Sequence, residues 1–446
     1  MAISCDVLVV GGGPAGAGLA FLLAKGGVRT VLVERGQARP SGPFETVLPA
    51  ARGLLVRCGL DDVVAAAAEP DPLRHGAVWG SGALEWRAAE AGGLLLRRGP
   101  FDAALRRSAA ERGAVVYEGA RVTRDASGLL LVRGCIAEPL EPRVVVHATG
   151  RGGPRRALGP GTIAYTFVGE PDPGDRGTAV VEAVAAGWSW THVPRDGTAA
   201  CAWFLEARLD PMARRAALAH AFAAAVGPAG RLRAARLCFA TDATPTVAVA
   251  NSGGLAIGDA AATADPLSSQ GVEKALAAAE HAAAVVRTML AEPAWSERLM
   301  AVHRRWEAGL AAAHRTAALA WYAREDRFVA APFWAARRVD LRTSAPPAPE
   351  LAFRAAPTLV AERILVREGD RFAMVDGIRD TVSGDERSHI GYVPIAPLLR
   401  VCGQPIRLDD AVRVAGREPR LFVLPPRAVH AAIRELVRIG WLVPVS

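Results

Sequence analysis

Three features of this sequence predict an α/β fold: a Rossmann-like domain, a mainly antiparallel β-sheet domain inserted into it, and a small C-terminal α+β domain. The first is a glycine-rich turn, Gly11–Gly16, set between an apolar strand and an apolar helix. The second is a run of short β-type segments, separated by turn clusters, between residues 160 and 250. The third is a change of texture beyond Ser344-Ala-Pro-Pro-Ala-Pro349, a linker by composition. At roughly 100–200 residues per domain, a chain of 446 residues holds two or three.

Taken in order, Asp6–Val10 reads as a buried strand, Pro14–Ala24 as a helix and Val28–Glu34 as a second strand, which is one βαβ unit. A helical pattern follows over Glu45–Cys58, with Gly59 as its stop, and again over Phe101–Arg112, with Gly113 behind it. Val144–His147 is a short buried strand. Ile163–Val168, Thr178–Val184, Trp188–Val193 and Ala200–Leu205 make the antiparallel sheet. Leu255–Ile257 then returns as a strand of the first domain, Gly271–Leu290 is a long Ala-rich helix, and residues 291–333 are further helix. Beyond the linker, Val360–Arg367 and Arg371–Val375 are strands. Pro394–Val401, Leu408–Val414 and Pro426–Ile439 are helices, and a strand follows Trp441. That order suggests a winged-helix-like module. The expected division is 1–75, 95–155 and 250–300 for the nucleotide-binding domain, 76–94 and 156–249 for the sheet domain on the substrate side, 301–345 for a helical segment, and 346–446 for linker and C-terminal domain.

Composition removes several function classes. Half the residues are apolar (51%) and 22% are charged, the range of globular proteins. Of 53 basic residues all but Lys25 and Lys274 are arginine, and the net charge of +8 is spread without a Lys/Arg block. Residues 351–446 carry 14 arginines against 11 acids, a weak excess for a phosphate-binding surface, so no nucleic-acid partner is expected. Six cysteines stand without C-x-x-C spacing, which argues against zinc or a disulfide framework and for a reducing cytoplasm. The apolar run Ala15–Ala24 has no basic segment before it and is too short to span a bilayer, so no membrane partner is expected.

The chemistry begins at Gly11-Gly12-Gly13-Pro14-Ala15-Gly16, a G-x-G-x-x-G turn with Glu34 ending the next strand 18 residues after Gly16. Gly11 permits the tight turn, Gly13 lets backbone approach a pyrophosphate, and Gly16 lets helix and sheet close up. The helix N-terminus meanwhile offers free N–H groups and a positive dipole end. A carboxylate at position 34 suits a ribose diol. Candidate dinucleotide contacts are therefore Gly11, Gly13, Pro14, Ala15, Gly16, Glu34 and Arg35.

The turn alone does not separate FAD from NAD. Gly258-Asp259-Ala260-Ala261 at a strand end, then Asp265-Pro266-Leu267-Ser268-Ser269-Gln270-Gly271 opening a helix, resembles the segment with which flavoprotein monooxygenases and flavin-dependent halogenases hold FAD. The resemblance implies a glutathione-reductase-type FAD domain. Asp259 would lie at the ribityl and pyrophosphate region and the helix start at Gly271 and Val272 would face the ring, where a positive dipole end stabilises anionic reduced flavin. An Asp at such a place is also an ordinary helix N-cap. Phe44-Glu45-Thr46-Val47-Leu48-Pro49 resembles the segment that passes along the flavin in that superfamily, which adds Glu45 and Thr46. Arg98-Gly99-Pro100-Phe101-Asp102 resembles its R-x-x-F-D helix start, which adds Arg98. His147-Ala148-Thr149-Gly150-Arg151 has Thr149 where many hydroxylases carry Asp.

Trp188-Ser189-Trp190-Thr191-His192-Val193-Pro194 approaches the W-x-W-x-I-P signature of flavin-dependent halogenases with one residue too many. Those enzymes need a lysine early in the chain and a glutamate before the serine of D-P-L-E-S-x-G. Here no lysine lies between 26 and 273, and the glutamate position is Ser268, so halogenation is disfavoured. The set E-T-x-L-P, Ala77-Val78-Trp79-Gly80-Ser81, A-T-G-R and D-P-L-S-S-Q-G resembles flavoproteins that oxidise a protein's own tryptophan on the way to a tryptophylquinone cofactor, of the quinohemoprotein amine dehydrogenase maturation type.

The resemblance implies a monooxygenase acting on the tryptophan of a partner protein or peptide through a flavin C4a-hydroperoxide. FAD would be the cofactor, and O2 and an external reductant (NAD(P)H or reduced flavin) the co-substrates. Pro266, Ser268 and Ser269 are the candidates for the flavin-facing wall, and Trp188 and Trp190, with Trp203, for the substrate side; each tryptophan suits a sheet core as well. His192 reads as a structural histidine. Two other readings stay open: a hydroxylase or dehydrogenase of a small aromatic or isoprenoid molecule, and, on weaker grounds, a flavin-containing nucleic-acid sensor.

Overall fold

The apolar run before the glycine turn is a strand, Ile3–Val10, whose Val7, Leu8 and Val9 are fully buried, as in a sheet covered on both faces. In the computed structural model, which describes residues 3–36, 44–47, 51–70, 74–87, 94–124, 130–134, 139–195, 197–208, 211–226, 231–249, 254–268, 270–338, 352–421 and 423–445, this strand is central to a mostly parallel sheet. It pairs in parallel with Thr30–Glu34 on one side and Pro139–His147 on the other, and Val115–Glu118 lies beyond Thr30–Glu34. Leu255–Ala256 joins the far end of Pro139–His147, with Val146 opposite Leu255. A late segment of the chain thus returns to the first sheet, as expected. The chain divides into two units, Met1–Val339 and Asp340–Ser446.

Helix Pro14–Lys25 is buried from Pro14 to Ala24 and packs against both Gly271–Ala291 and Arg98–Glu111. The second sheet of this unit runs in the order Leu232–Asp242, Thr162–Pro171, Ala199–Glu206, Gly187–Val193, Thr178–Val184, Arg74–Val78, Leu84–Arg87. All its pairings are antiparallel except Thr178–Val184 with Arg74–Val78. One face packs Trp188 and Phe204 against Tyr322, Phe333 and Trp334. The other packs Phe167, Trp203 and Leu205 against helix Pro211–Val226.

Several expectations need correction. Phe44–Val47 is a strand paired with Leu94–Arg97, and the helix expected from Glu45 begins only at Arg52; cross-strand pairing outweighs local helical pattern in this β-branched stretch. The helix over 291–333 is interrupted. Ser296–Tyr322 follows a turn at Pro293–Trp295, and Pro332–Ala335 is a separate short helix, because each proline starts a new element. Strand Leu232–Asp242 and helix Pro211–Val226 had not been expected. Trp203 lies on the opposite face from Trp188 and Trp190, since it stands opposite Ser189 in register and strand side chains alternate.

The second unit has a long hairpin, Leu359–Glu368 with Arg371–Asp380, and helices Ile395–Val401, Leu408–Ala415 and Pro426–Arg438 around a core that includes Leu398, Ile433 and Trp441. The terminal strand Leu442–Val445 pairs with Ala352–Ala355, which precedes the helices, so its sheet is closed from the N-terminal side of the unit. Among the described residues no helix is long and apolar enough to cross a membrane.

Candidate functional site

The glycine turn sits at the carboxyl ends of the parallel strands, where open α/β sheets bind ligands. Gly11 has φ +110°, and a Cβ there would fall 2.3 Å from the carbonyl oxygen of Ala148; at Gly16 it would fall 1.9 Å from the oxygen of Gly11. Neither position admits a side chain. At Gly13 the space a side chain would occupy is open to 4 Å. Glu34 accepts from the N–H groups of Gly12 at 2.6 Å and Gly36 at 2.7 Å, so the acidic strand end and the turn hold each other.

Sequence reasoning missed Arg106. Its buried guanidinium donates to the Gly12 carbonyl at 3.0 Å and to Glu118 Oε1 at 2.8 Å, fastening the turn from beneath. The signal was a cation on the helix face that buries Phe101, Leu105 and Ala109.

A cavity of about 710 Å³ opens beside this turn, lined by Gly11, Glu34, Arg35, His147, Thr149 and Gly153 among others. Burial, with Arg124 adding to it, holds His147 below its ordinary value, so it lines the cavity as a neutral ring.

The two motifs, far apart in sequence, meet. Gly258 has φ +61°, and a Cβ on it would lie 2.8 Å from the Cβ of Ala15. Asp259 stands between two cations, with Lys274 Nζ 3.4 Å from Oδ1 and Arg151 Nε 3.4 Å from Oδ2. Lys274 is buried and also donates to the carbonyl of Ala262.

Under this turn lies a second group the sequence did not announce, Glu307 of helix Ser296–Tyr322. Burial pushes its carboxyl up to about 7, with Lys274 partly opposing. The N–H of Gly258 favours its charged form, and among the described residues neither oxygen has a hydrogen-bond partner. Its sequence signal was faint: polar residues at 303, 307 and 314 share the buried stripe of Leu299, Ala311 and Ala318.

Arg98 donates to Asp102 Oδ1 at 3.1 Å and to Glu45. Burial raises the Asp102 carboxyl, with Arg98 opposing, while the two acids hold Arg98 firmly charged despite burial. Glu45 in turn reaches the start of helix Gly271–Ala291, its Oε2 lying 3.9 Å from where a Gly271 Cβ would stand. Val272 is buried behind it, and Thr46 takes its place in the strand opposite Leu95.

Pro266–Ser268 forms a tight 3₁₀ turn, held by Leu267 N–H on Asp265 Oδ1 at 3.0 Å and the Ser268 hydroxyl on the Asp265 carbonyl at 2.9 Å. Ser269 lies outside the described residues. Trp188 is buried, its ring 3.8 Å from that of Phe204, while Trp190 is partly buried and stacks on the wholly buried His192. The structure therefore brings the glycine turn, Glu34, Arg35 and Gly258–Asp259 together, and separately Arg98, Glu45 and Gly271. Trp188 belongs to a sealed core.

A dinucleotide fits these residues: an open approach at Gly13, a large cavity at the strand ends, and the Glu34 carboxylate on its wall. Residues 4–132 match a family described as FAD binding domain. A 55-residue stretch is 49% identical to the monooxygenase CTB7 of Cercospora beticola, covering 12% of this chain and only 13% of that relative's length. The structure resembles that of QhpG, described as a peptidyl tryptophan dihydroxylase essential for tryptophylquinone cofactor biogenesis, over 98% of this chain and 100% of that one, with TM-score 0.73 and 26% identity. Residues 4–132 are thus an FAD-binding domain by family, and the whole chain is similar in structure to an FAD-dependent monooxygenase of this kind. The flavin-dependent halogenase CmlS shares the fold over 100% of this chain and 96% of its own, with TM-score 0.75 and 18% identity. The matched stretch 4–132 includes the glycine turn, Glu34, Glu45 and Arg98.

Proposed function

We propose that this chain is an FAD-dependent monooxygenase that hydroxylates a tryptophan side chain of a partner protein or peptide during tryptophylquinone biogenesis. The observation that carries this reading is the end-to-end likeness to a peptidyl tryptophan dihydroxylase, which extends past the FAD domain into the C-terminal unit. Ser268 at the halogenase glutamate position and the absence of lysine between 26 and 273 turn it away from halogenation.

Bound FAD supplies the activation of O2, with NAD(P)H or reduced flavin as electron source. The residues of the chain do the rest. The Gly11–Gly16 turn, Glu34 and Arg35 hold the nucleotide end, and Asp259, set by Lys274 and Arg151, holds the middle. Arg98 and Glu45 brace the start of helix Gly271–Ala291 near the ring. Indole is electron-rich and needs no strong base, so the main demands on the site are orientation and exclusion of water. Pro266 and Ser268 form the cofactor-facing wall, and Trp190 faces the substrate side. In this reading 1–75, 95–155 and 250–300 bind the cofactor, 76–94 and 156–249 bound the substrate side with 301–345 behind them, and 346–446 recognises the protein substrate. A cytoplasmic setting suits the free thiols Cys5, Cys201, Cys238 and Cys402.

The test is mass spectrometry of tryptophan-containing peptides from a candidate quinoprotein subunit co-expressed with and without this chain. A chain-dependent gain of one or two oxygen atoms on a single tryptophan supports the proposal. No gain, from a chain that carries FAD and consumes O2, overturns it and directs the search to small aromatic substrates.

A further inference from the structure

We infer that Tyr322 is a positioning residue that sets the Pro266–Ser268 turn through the buried carboxylate of Asp265. The inference rests on the reading above that this turn faces the cofactor. The Tyr322 hydroxyl, wholly enclosed, lies 3.1 Å from each oxygen of Asp265 and donates its one proton between them. It accepts from Trp188 Nε1 at 3.3 Å. Asp265 Oδ1 also accepts the Leu267 N–H, and the Asp265 carbonyl accepts both the N–H of Ser268 at 3.1 Å and its hydroxyl. One carboxylate thus caps the turn from within, and one phenol ties it to the sheet strand that carries Trp188 and Trp190.

A buried carboxylate needs such a donor, because leaving it unpaired costs several times an ordinary hydrogen bond. Burial raises the Asp265 carboxyl, and the Leu267 N–H, Tyr322 and Arg337 oppose that. Arg337 is engaged elsewhere, donating to the carbonyls of Phe333 and Gly161 at 2.8 Å and to Thr162 and Glu206, so it contributes charge and not a contact. Arg315 is the other charged side chain on the cavity of about 60 Å³ beside the pair. Tyr322 is therefore the side-chain donor that favours the charged form of Asp265 and holds it in place, and it links the cofactor wall to the substrate sheet.

The experiment compares Tyr322→Phe, Asp265→Asn and the double variant in the full chain, with FAD dissociation constants measured from pH 5 to pH 9 beside apoprotein melting. Asp265→Asn keeps an acceptor for Tyr322 and removes the charge. Tyr322→Phe should weaken FAD about tenfold, the worth of a hydrogen bond to a charged group. It should also add to the parent's pH profile a loss of FAD affinity as pH falls, because Asp265 without its donor takes up a proton at higher pH. The double variant should lose that added pH dependence and fall within about twofold of Asp265→Asn alone. Ser268→Trp reports on the reading of the turn itself. Unchanged FAD affinity in Ser268→Trp overturns that reading and the inference with it. Weakened affinity there, with parental affinity and pH profile in Tyr322→Phe, overturns the inference alone, as does a Tyr322→Phe defect confined to apoprotein melting.

Discussion

Lys274 Nζ lies 3.4 Å from Asp259 Oδ1, and it is one of only two lysines in the chain, buried at the point where the second cofactor segment turns. A buried ammonium is retained only where acceptors surround it, and here the Ala262 carbonyl and Asp259 do so with the Glu307 carboxyl near by. Lys274→Met should lower stability by about 2–3 kcal/mol, at the modest end for a broken buried pair because Asp259 is partly exposed. It should also weaken FAD at least tenfold. Urea unfolding of the apoprotein and fluorescence titration with FAD check the two effects separately.

Glu307 makes stability fall as pH rises. Its carboxyl is held at about 7 against an ordinary 4.5, so the folded chain binds this proton more tightly than the unfolded chain does. The contribution is full below the unfolded value, shrinks from pH 4.5 upward and is gone above about pH 7. Glu307→Gln keeps the shape and removes the titration. At pH 8 it should be more stable than the parent by on the order of 3 kcal/mol, the equivalent of the shift, with little difference at pH 5. Parallel denaturation curves for the two proteins at both pH values would refute this.

Much of this arrangement was legible in the sequence, and the illegible part has a physical pattern. Gly11, Gly16 and Gly258 announced themselves because backbone geometry leaves no alternative to glycine. The strands Ile3–Val10 and Thr162–Pro171 were readable because their burial is regular. Arg106, Lys274 and Glu307 were not, since each is a charge whose partner lies on another element, and no spacing rule encodes a tertiary pairing. Phe44–Val47 was misread because its conformation is decided by Leu94–Arg97, roughly fifty residues on. The aromatic patch failed by period. Trp188 and Trp203 look alike in the sequence, yet register sends them to opposite faces.

Gly258→Ala tests whether the two cofactor segments are locked together. The substitution meets a left-handed φ of +61° and the Ala15 Cβ at 2.8 Å. The backbone effect alone costs about 1–2 kcal/mol, and the clash adds to it. Adding Ala15→Gly should recover the clash and leave the backbone cost, so the double variant melts between the parent and Gly258→Ala. If Ala15→Gly recovers nothing, the contact between the segments is not the source of the strain.

Arg98→Met should separate the electrostatic role of this residue from its packing. The parent guanidinium compensates Glu45 and Asp102 together, and the Asp102 carboxyl is already raised by burial. Without it Asp102 faces Glu45 with no cation between them, so the Asp102 carboxyl, already raised by burial, is raised further. The variant is then less disturbed at pH 5 than at pH 8, where uncompensated negative charge faces the start of helix Gly271–Ala291. FAD affinity should follow the same direction, with the loss relative to the parent growing as pH rises. Glu45→Gln in the Arg98→Met background removes one of the two charges and should restore part of the affinity at pH 8. A loss that is equal at both pH values, and untouched by Glu45→Gln, would make Arg98 a packing residue whose charge is incidental.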